Sequence, residues 1–259
     1  MRRIVVLAAI GAALWRLPIG FAQDAEKATA AKPAAKSGDA AVARALEDLG
    51  AQVHLDGDGK VQSIKAVKTK IADDDLARLG ELNAIEELEI AGGKVTDAGL
   101  ENLKGLSTLV RVSLHNLKIT DAGLKHLRGL KNLEGIDVHK TSVTGKGLAH
   151  FAKLPSLQIL NVGDLKVGDD DLGHLEGLAE LEVLTLENTN VTGAGLAHLK
   201  GLDKLRVLNL KNCSVEDGDL DHLKGLQELR MLYVKGTSVT AEGAAKLKKS
   251  ISGLAVFFY

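Results

Sequence analysis

The chain has 259 residues, 45% hydrophobic and 26% charged, with a formal net charge of −1. There is ample material for a core and a wet surface, and a balance this near neutrality gives no reason to expect nucleic acid, whose binding requires a concentrated basic face. A single cysteine, Cys213, excludes an internal disulfide framework.

Residues 1–22 read as a secretory signal: Arg2 and Arg3 precede an apolar run from Ile4 to Trp15, and Gly20-Phe21-Ala22 offers small residues for a signal peptidase. The run is shorter than the about 20 residues of a membrane span. Arg16 and Pro18 interrupt the pattern, so a retained membrane anchor stands as the alternative to cleavage. No cysteine follows the run, which excludes a lipoprotein anchor. Cleavage leaves 30 basic against 34 acidic residues, no membrane insertion and an extracytoplasmic address, periplasmic or secreted. Residues 23–40 are an Ala/Lys tether with one proline and no large apolar side chain, a composition that cannot order itself.

Ala41 to Leu49 places Val42, Ala45, Leu46 and Leu49 at helical spacing, and Gly50 ends the run. Val53 to Leu55 alternates as a strand, and Asp56-Gly57-Asp58-Gly59 turns the chain. As a calcium loop that turn lacks the further oxygen ligands and the bidentate glutamate. Residues 41–59 therefore read as an N-terminal cap of helix plus hairpin, covering the open end of the region that begins at Lys60.

From Lys60 a 24-residue frame repeats eight times without insertion or deletion, restarting at Ala84, Thr108, Asn132, Ser156, Glu180, Lys204 and Glu228 and ending at residue 251. A fixed period of this length is the signature of a solenoid. The second, fifth and seventh positions are apolar, as in Leu88 and Ile90, which predicts a short strand with one face inward. Positions 17, 20 and 23 are leucines, as in Leu100, Leu103 and Leu106, which predicts a helical second half. Between them runs V-T-D-A-G-L, where Thr96 or Asp97 can cap the helix.

The pattern LxxLxLxxTxVTDAGLxxLxxL resembles the leucine-rich repeat family, in the type where Cys or Thr follows the strand and TDxGL opens the helix. The resemblance covers residues 60–251 and implies an α/β fold: a leucine-rich repeat solenoid, or horseshoe, with a parallel sheet on the concave face and helices on the convex face. Threonine holds the tenth position in Thr69, Thr141, Thr189 and Thr237 and Cys213 holds it once, while Gly93, Leu117 and Leu165 depart from it. The last frame changes character at Ala244 and Ser250, and residues 252–259 read as a C-terminal cap strand.

No H-E-x-x-H, C-x-x-C, G-x-S-x-G or Walker loop is present. The acidic runs Asp73 to Asp75 and Asp169 to Asp171 fall at helix starts, where they meet the helix dipole favourably. His126, His150, His174, His198 and His222 share position nineteen, a copied outer residue of the helix. His115 and His139 are better placed, on adjacent strands about 4.8 Å apart and facing the exposed side of the sheet.

That face is where copies differ, and its candidate protein-binding residues are Arg111, His115, Asp137, His139, Ile159, Val183, Val207, Met231 and Tyr233. Its first half is polar. Its second half carries a stripe from Ile159 to Met231 that reads either as an exposed interaction patch or as ordinary β-branched strand residues. The expectation is a secreted, non-catalytic, monomeric protein-binding scaffold with no cofactor and no metal. A ubiquitin-ligase substrate adaptor, implied by the resemblance, would need an F-box that residues 1–40 do not supply. A metal-dependent enzyme built on His115 and His139 with Asp137 is the second alternative.

Overall fold

The computed structural model describes residues 38–259. The expected signal segment at 1–22, and the tether up to residue 37, lie outside the described residues. Helix α1 (Gly38–Asp48) begins three residues before the expected start at Ala41, so Gly38 to Ala40 belong to it and not to the tether. The cause is Asp39, which is 5% exposed. Its carboxylate accepts the Val61 amide at 2.9 Å and Lys60 Nζ at 3.4 Å, tying the first turn to the sheet. Val42, Ala43 and Leu46 form the buried side of the helix.

Strand β1 (Gln52–Leu55) pairs antiparallel with β2 (Val61–Val67). Eight strands continue the sheet in parallel: β3 (Glu87–Ala91), β4 (Arg111–Ser113), β5 (Gly135–Asp137), β6 (Ile159–Asn161), β7 (Val183–Thr185), β8 (Val207–Asn209), β9 (Met231–Tyr233) and β10 (Ala255–Phe257). Spatial order equals sequence order. Partners sit 24 positions apart at every parallel step, from Leu88 against Val112 to Leu232 against Val256. One residue just beyond each strand from β2 to β9 has positive φ: Lys68, Gly92, Asn116, Lys140, Asp164, Asn188, Asn212 and Gly236. Asn and Asp tolerate that left-handed turn better than other side chains. Three of them also link across repeats, with Asn188 Nδ2 donating to Asp164 Oδ1 at 2.8 Å and Asn212 Nδ2 to Asn188 Oδ1 at 2.6 Å.

The opposite side carries helices, but mostly not α-helices. Helices α2 (Asp73–Leu76), α3 (Asp97–Leu100) and α4 (Asp121–Leu124) are single turns. The next four repeats have only 3₁₀ helices, at Gly145–His150, Asp170–Leu175, Ala194–Leu199 and Asp217–Leu223. Buried residues spaced by three, such as Leu196, Leu199 and Leu202, share one side of a helix with three residues per turn. Helix α5 (Ala241–Ser250) shows the contrast: its buried Ala244 and Leu247, with Ile251 just past its end, are spaced by three and four, the α period, and it is a regular α-helix.

Between sheet and helices runs one continuous core, from Val42 to Leu254. The helix-opening turns interlock the repeats. The Asp73 carboxylate accepts the amide and hydroxyl of Thr96 in the next repeat, at 2.7 and 2.6 Å. Asp97 does the same for Thr120, Asp121 for Thr144, Asp169 for Thr192 and Asp217 for Thr240. Two junctions are built differently. Where Gly145 and Gly193 replace the bridging aspartate, Asp171 and Asp219 of the following repeat cap their own turns, through the amides of Gly168 and Glu216 at 2.8 Å. The two arrangements exclude each other, because a Cβ on Gly145 would overlap the Asp171 carboxylate and one on Gly195 would overlap Asp169.

Candidate functional site: the outward face of the sheet

Each strand from β3 to β9 turns its first and third residues outward, and the residue two positions further continues the same row. In the first half these rows are ionic. Lys65 Nζ meets Glu89 Oε2 at 2.6 Å, and Arg111 meets Glu87 at 3.4 Å. The Glu87 side chain stays 52% exposed while that of Arg111 is 9% exposed.

At the centre the imidazoles of His115 and His139 stack, with centroids 4.6 Å apart and planes 10° from parallel. Strand spacing of about 4.8 Å dictates that distance for planar side chains at equivalent positions. Asp137 orients the pair. Its Oδ1 accepts the His139 backbone amide at 3.1 Å and lies 2.7 Å from His139 Nδ1. The carboxylate is an acceptor only, so the hydrogen-bond pattern places a proton on Nδ1. His115 Nε2 lies 4.0 Å from Glu89 Oε1. Burial lowers the His115 pKa from its ordinary 6.5; His139 and Lys140 add to the shift, and Asp137 and Glu89 oppose it.

The same i to i+2 turn recurs beside the pair. Asn161 Oδ1 accepts the Gly163 amide at 3.1 Å, and Asn209 Oδ1 accepts the Lys211 amide at 3.0 Å. These bonds explain how fully buried Asn209 and nearly buried Asp137 can sit on an outward row.

The second half corrects one expectation. Ile159, Val183, Val207 and Met231 stand side by side in register, yet Val183 is only 6% and Val207 only 4% exposed. The stripe is not a contiguous exposed patch, because Val183 and Val207 each have an apolar side chain in register on both neighbouring strands. Tyr233 is also buried, stacked on Phe257 with centroids 4.7 Å apart and with Lys211 Nζ 5.5 Å from its ring. Of the nine nominated residues, Arg111, Asp137, Val183, Val207 and Tyr233 are buried, and His115, His139, Ile159 and Met231 are partly open. Lys65, Glu87 and Glu89, which line the same face, belong beside them. Their exposure had a signal in the sequence, since long charged side chains keep their heads in water.

Chemistry on this face is limited. Among the described residues, no group of three or more His, Cys, Asp and Glu side chains is arranged to hold a metal ion. Parallel stacked rings direct their in-plane lone pairs side by side and not at one point. The hydroxyl nearest the Asp137–His139 pair in register, that of Ser113, belongs to a residue 2% exposed. In the helix row, His198 Nδ1 instead pairs with Glu176 Oε1 at 2.6 Å. A groove of about 460 Å³ lies elsewhere, on the turn side around Gly193, Ser214 and Glu216.

Comparison with known proteins agrees with this architecture. The family model described as leucine-rich repeat matches residues 179–239. None of the curated proteins matches the chain. Among solved structures, an internalin C2 from Listeria monocytogenes str. 4b F2365 superposes with a TM-score of 0.63 at 23% identity, covering 77% of this chain and 81% of its own. An internalin inlF of the same strain gives 0.52 at 20% identity, over 71% of this chain and 57% of its own. The plant peptide hormone receptor RGFR1, solved in complex with RGF2, gives 0.55 at 15% identity, over 80% and 36%. At these identities the likeness is one of fold.

Proposed function

Because the chain is a leucine-rich repeat protein, we propose that it is a non-catalytic scaffold binding a protein partner across the outward face of its sheet. The observation that carries this reading is the contrast between layers. The core beneath the face repeats every 24 residues, while the accessible groups above it do not: Glu87 and Glu89, then the stacked His115 and His139, then Ile159 and Met231. A surface whose chemistry changes with each step along a regular support suits recognition of one extended partner surface. A plant peptide hormone receptor, solved in complex with RGF2, shares this fold. The sheet is wide enough: nine parallel strands at about 4.8 Å span close to 40 Å, the scale of a standard protein interface.

Residues 1–22 support an extracytoplasmic address. Among the described residues no helix is long and apolar enough to cross a membrane. Mass spectrometry of the protein from its native envelope tests the address: a mature start at Gln23 supports export with cleavage, and a retained Met1 supports the anchored form.

The binding face is tested by placing a photo-crosslinking residue at Glu87 or Ile159, and at Lys125 on the helix side as control. Crosslinks to one protein from the first two positions and none from Lys125 support the reading. Capture from Lys125 alone sinks it.

A further inference from the structure

One ring at the centre of the outward face lacks a hydrogen-bond partner. His115 is half-buried, and neither of its ring nitrogens is bonded to a described residue; Glu89 Oε1 stands 4.0 Å from Nε2, beyond hydrogen-bond reach. What holds His115 in place is His139, ring against ring at 4.6 Å.

The charges that face the pair are already committed. On β5, Asp137 is bonded to His139, through its backbone amide at 3.1 Å and through Nδ1 at 2.7 Å. On β3, Glu89 is held by Lys65 of β2 at 2.6 Å, and Glu87 pairs with Arg111 of β4 at 3.4 Å. Just past β5, Lys140 lies 4.0 Å from Asp164. On β6 the facing group is the neutral Asn161, 3.3 Å from His139 Nδ1.

A neutral His115 suits this arrangement and a charged one does not. A second proton would put a cation one strand spacing from a ring that already carries hydrogen on Nδ1, with no uncommitted carboxylate to meet it. Burial is the main cause that lowers the His115 pKa from 6.5; His139 and Lys140 add to it, against Asp137 and Glu89. The charged ring has one better place to go. Glu89 lies on β3, on the side of β4 away from His139. Its pair with Lys65, whose side chain is 45% exposed, is of the kind that contributes little and can rearrange.

We propose that His115 is an acid-sensitive latch on the binding face: as the neutral ring it stays stacked on His139 and gives a partner an uncharged centre to cover, and as the imidazolium it swings to Glu89, opens the stack and releases the partner. The release rests on the outward face being the binding face. The movement of the ring does not.

The test uses the full chain. Imidazole carbon–proton NMR signals, assigned with His115→Gln and His139→Gln, are followed between pH 8 and about 5. The His115 midpoint should lie below 6.5, and the His139 signals should lose the shift imposed by the stacked ring at that same midpoint. Glu89→Gln removes the acceptor for the swung ring and should move the His115 midpoint further down. A His115 midpoint at or above 6.5 overturns the latch, as do His139 signals that ignore the titration of His115, or a midpoint that Glu89→Gln leaves in place. Release is read with the photo-crosslinking residue at Ile159. The crosslink should weaken severalfold from about pH 7.5 to 5.5 in the wild type and hold steady in His115→Gln. A wild-type crosslink equal at both pH values overturns the release and leaves the binding face standing. Absence of a crosslink at either pH sinks the binding face instead, and the release with it.

Discussion

Two ladders run the length of this solenoid, and they tolerate different amounts of change. On the turn side, a carboxylate must reach the amide that opens each helix. Only two solutions occur between successive repeats: aspartate from the repeat before, with glycine at the facing position, or glycine before and aspartate within. On the sheet side, equivalent positions hold Glu89 beside Ser113, His115 beside His139, Val183 beside Val207 and Tyr233 beside Phe257. There a neighbour need only pack against its counterpart one strand away. Variation that could specify a partner therefore accumulates on the face where stacking is permissive.

The largest expected effect lies beneath both ladders. Leu160 is fully buried on β6. Leu160→Ala should cost roughly 2–5 kcal/mol on chemical denaturation. A loss below about 1 kcal/mol would mean that the repeats on either side collapse into the space, contrary to the dense packing expected of a core.

The next effect separates outward from exposed. Val207→Asp would place a charge at a site only 4% exposed and should cost roughly 2–3 kcal/mol. Ile159→Asp, at a partly open position of the same row, should cost about 1 kcal/mol or less. Equal costs would restore the picture of one exposed apolar stripe. Sequence alone could not draw this line. The period-2 alternation of V-L-N and I-L-N assigns a face, whereas exposure depends on what stands about 4.8 Å away on each neighbouring strand.

Other features are legible in the sequence to different depths. The 24-residue frame yields strand register directly, since every parallel pair is offset by that number. The leucines at positions 17, 20 and 23 predict a helix without saying which kind. Their interval of three matches a 3₁₀ turn, and only the last repeat, with Ala244, Leu247 and Ile251, switches to the α period and forms a regular α-helix. The acidic turns are also readable. Gly145 is followed 26 positions later by Asp171 and Gly193 by Asp219, whereas Asp169 is followed by Gly195, a reciprocal substitution visible in the chain itself.

That reciprocity sharpens the comparison. Gly145→Asp alone crowds the Asp171 carboxylate and should cost about 1–3 kcal/mol. Adding Gly168→Thr and Asp171→Gly converts the junction to the arrangement used by Asp169, Thr192 and Gly195. The triple variant should recover most of the loss, giving a coupling of at least about 1 kcal/mol in a thermodynamic cycle. Additive costs would show that the two arrangements are not interchangeable units.

The smallest effect belongs to the sheet ladder and is read through pH. Burial holds the His115 pKa below 6.5 by disfavouring the charged ring; the stacked His139 adds to the shift, while Asp137 and Glu89 pull the other way. With the folded pKa below the unfolded one, the unfolded chain binds more protons between the two values. The contribution of His115 is therefore complete above 6.5 and declines as the pH falls toward the folded value. His115→Gln keeps a planar polar side chain and removes the titration. Its stability should vary less than that of the wild type between pH 7 and about 5. An unchanged slope would assign the pH dependence to other groups and leave the stacked pair a packing feature, as indifferent to protonation as the valine row beside it.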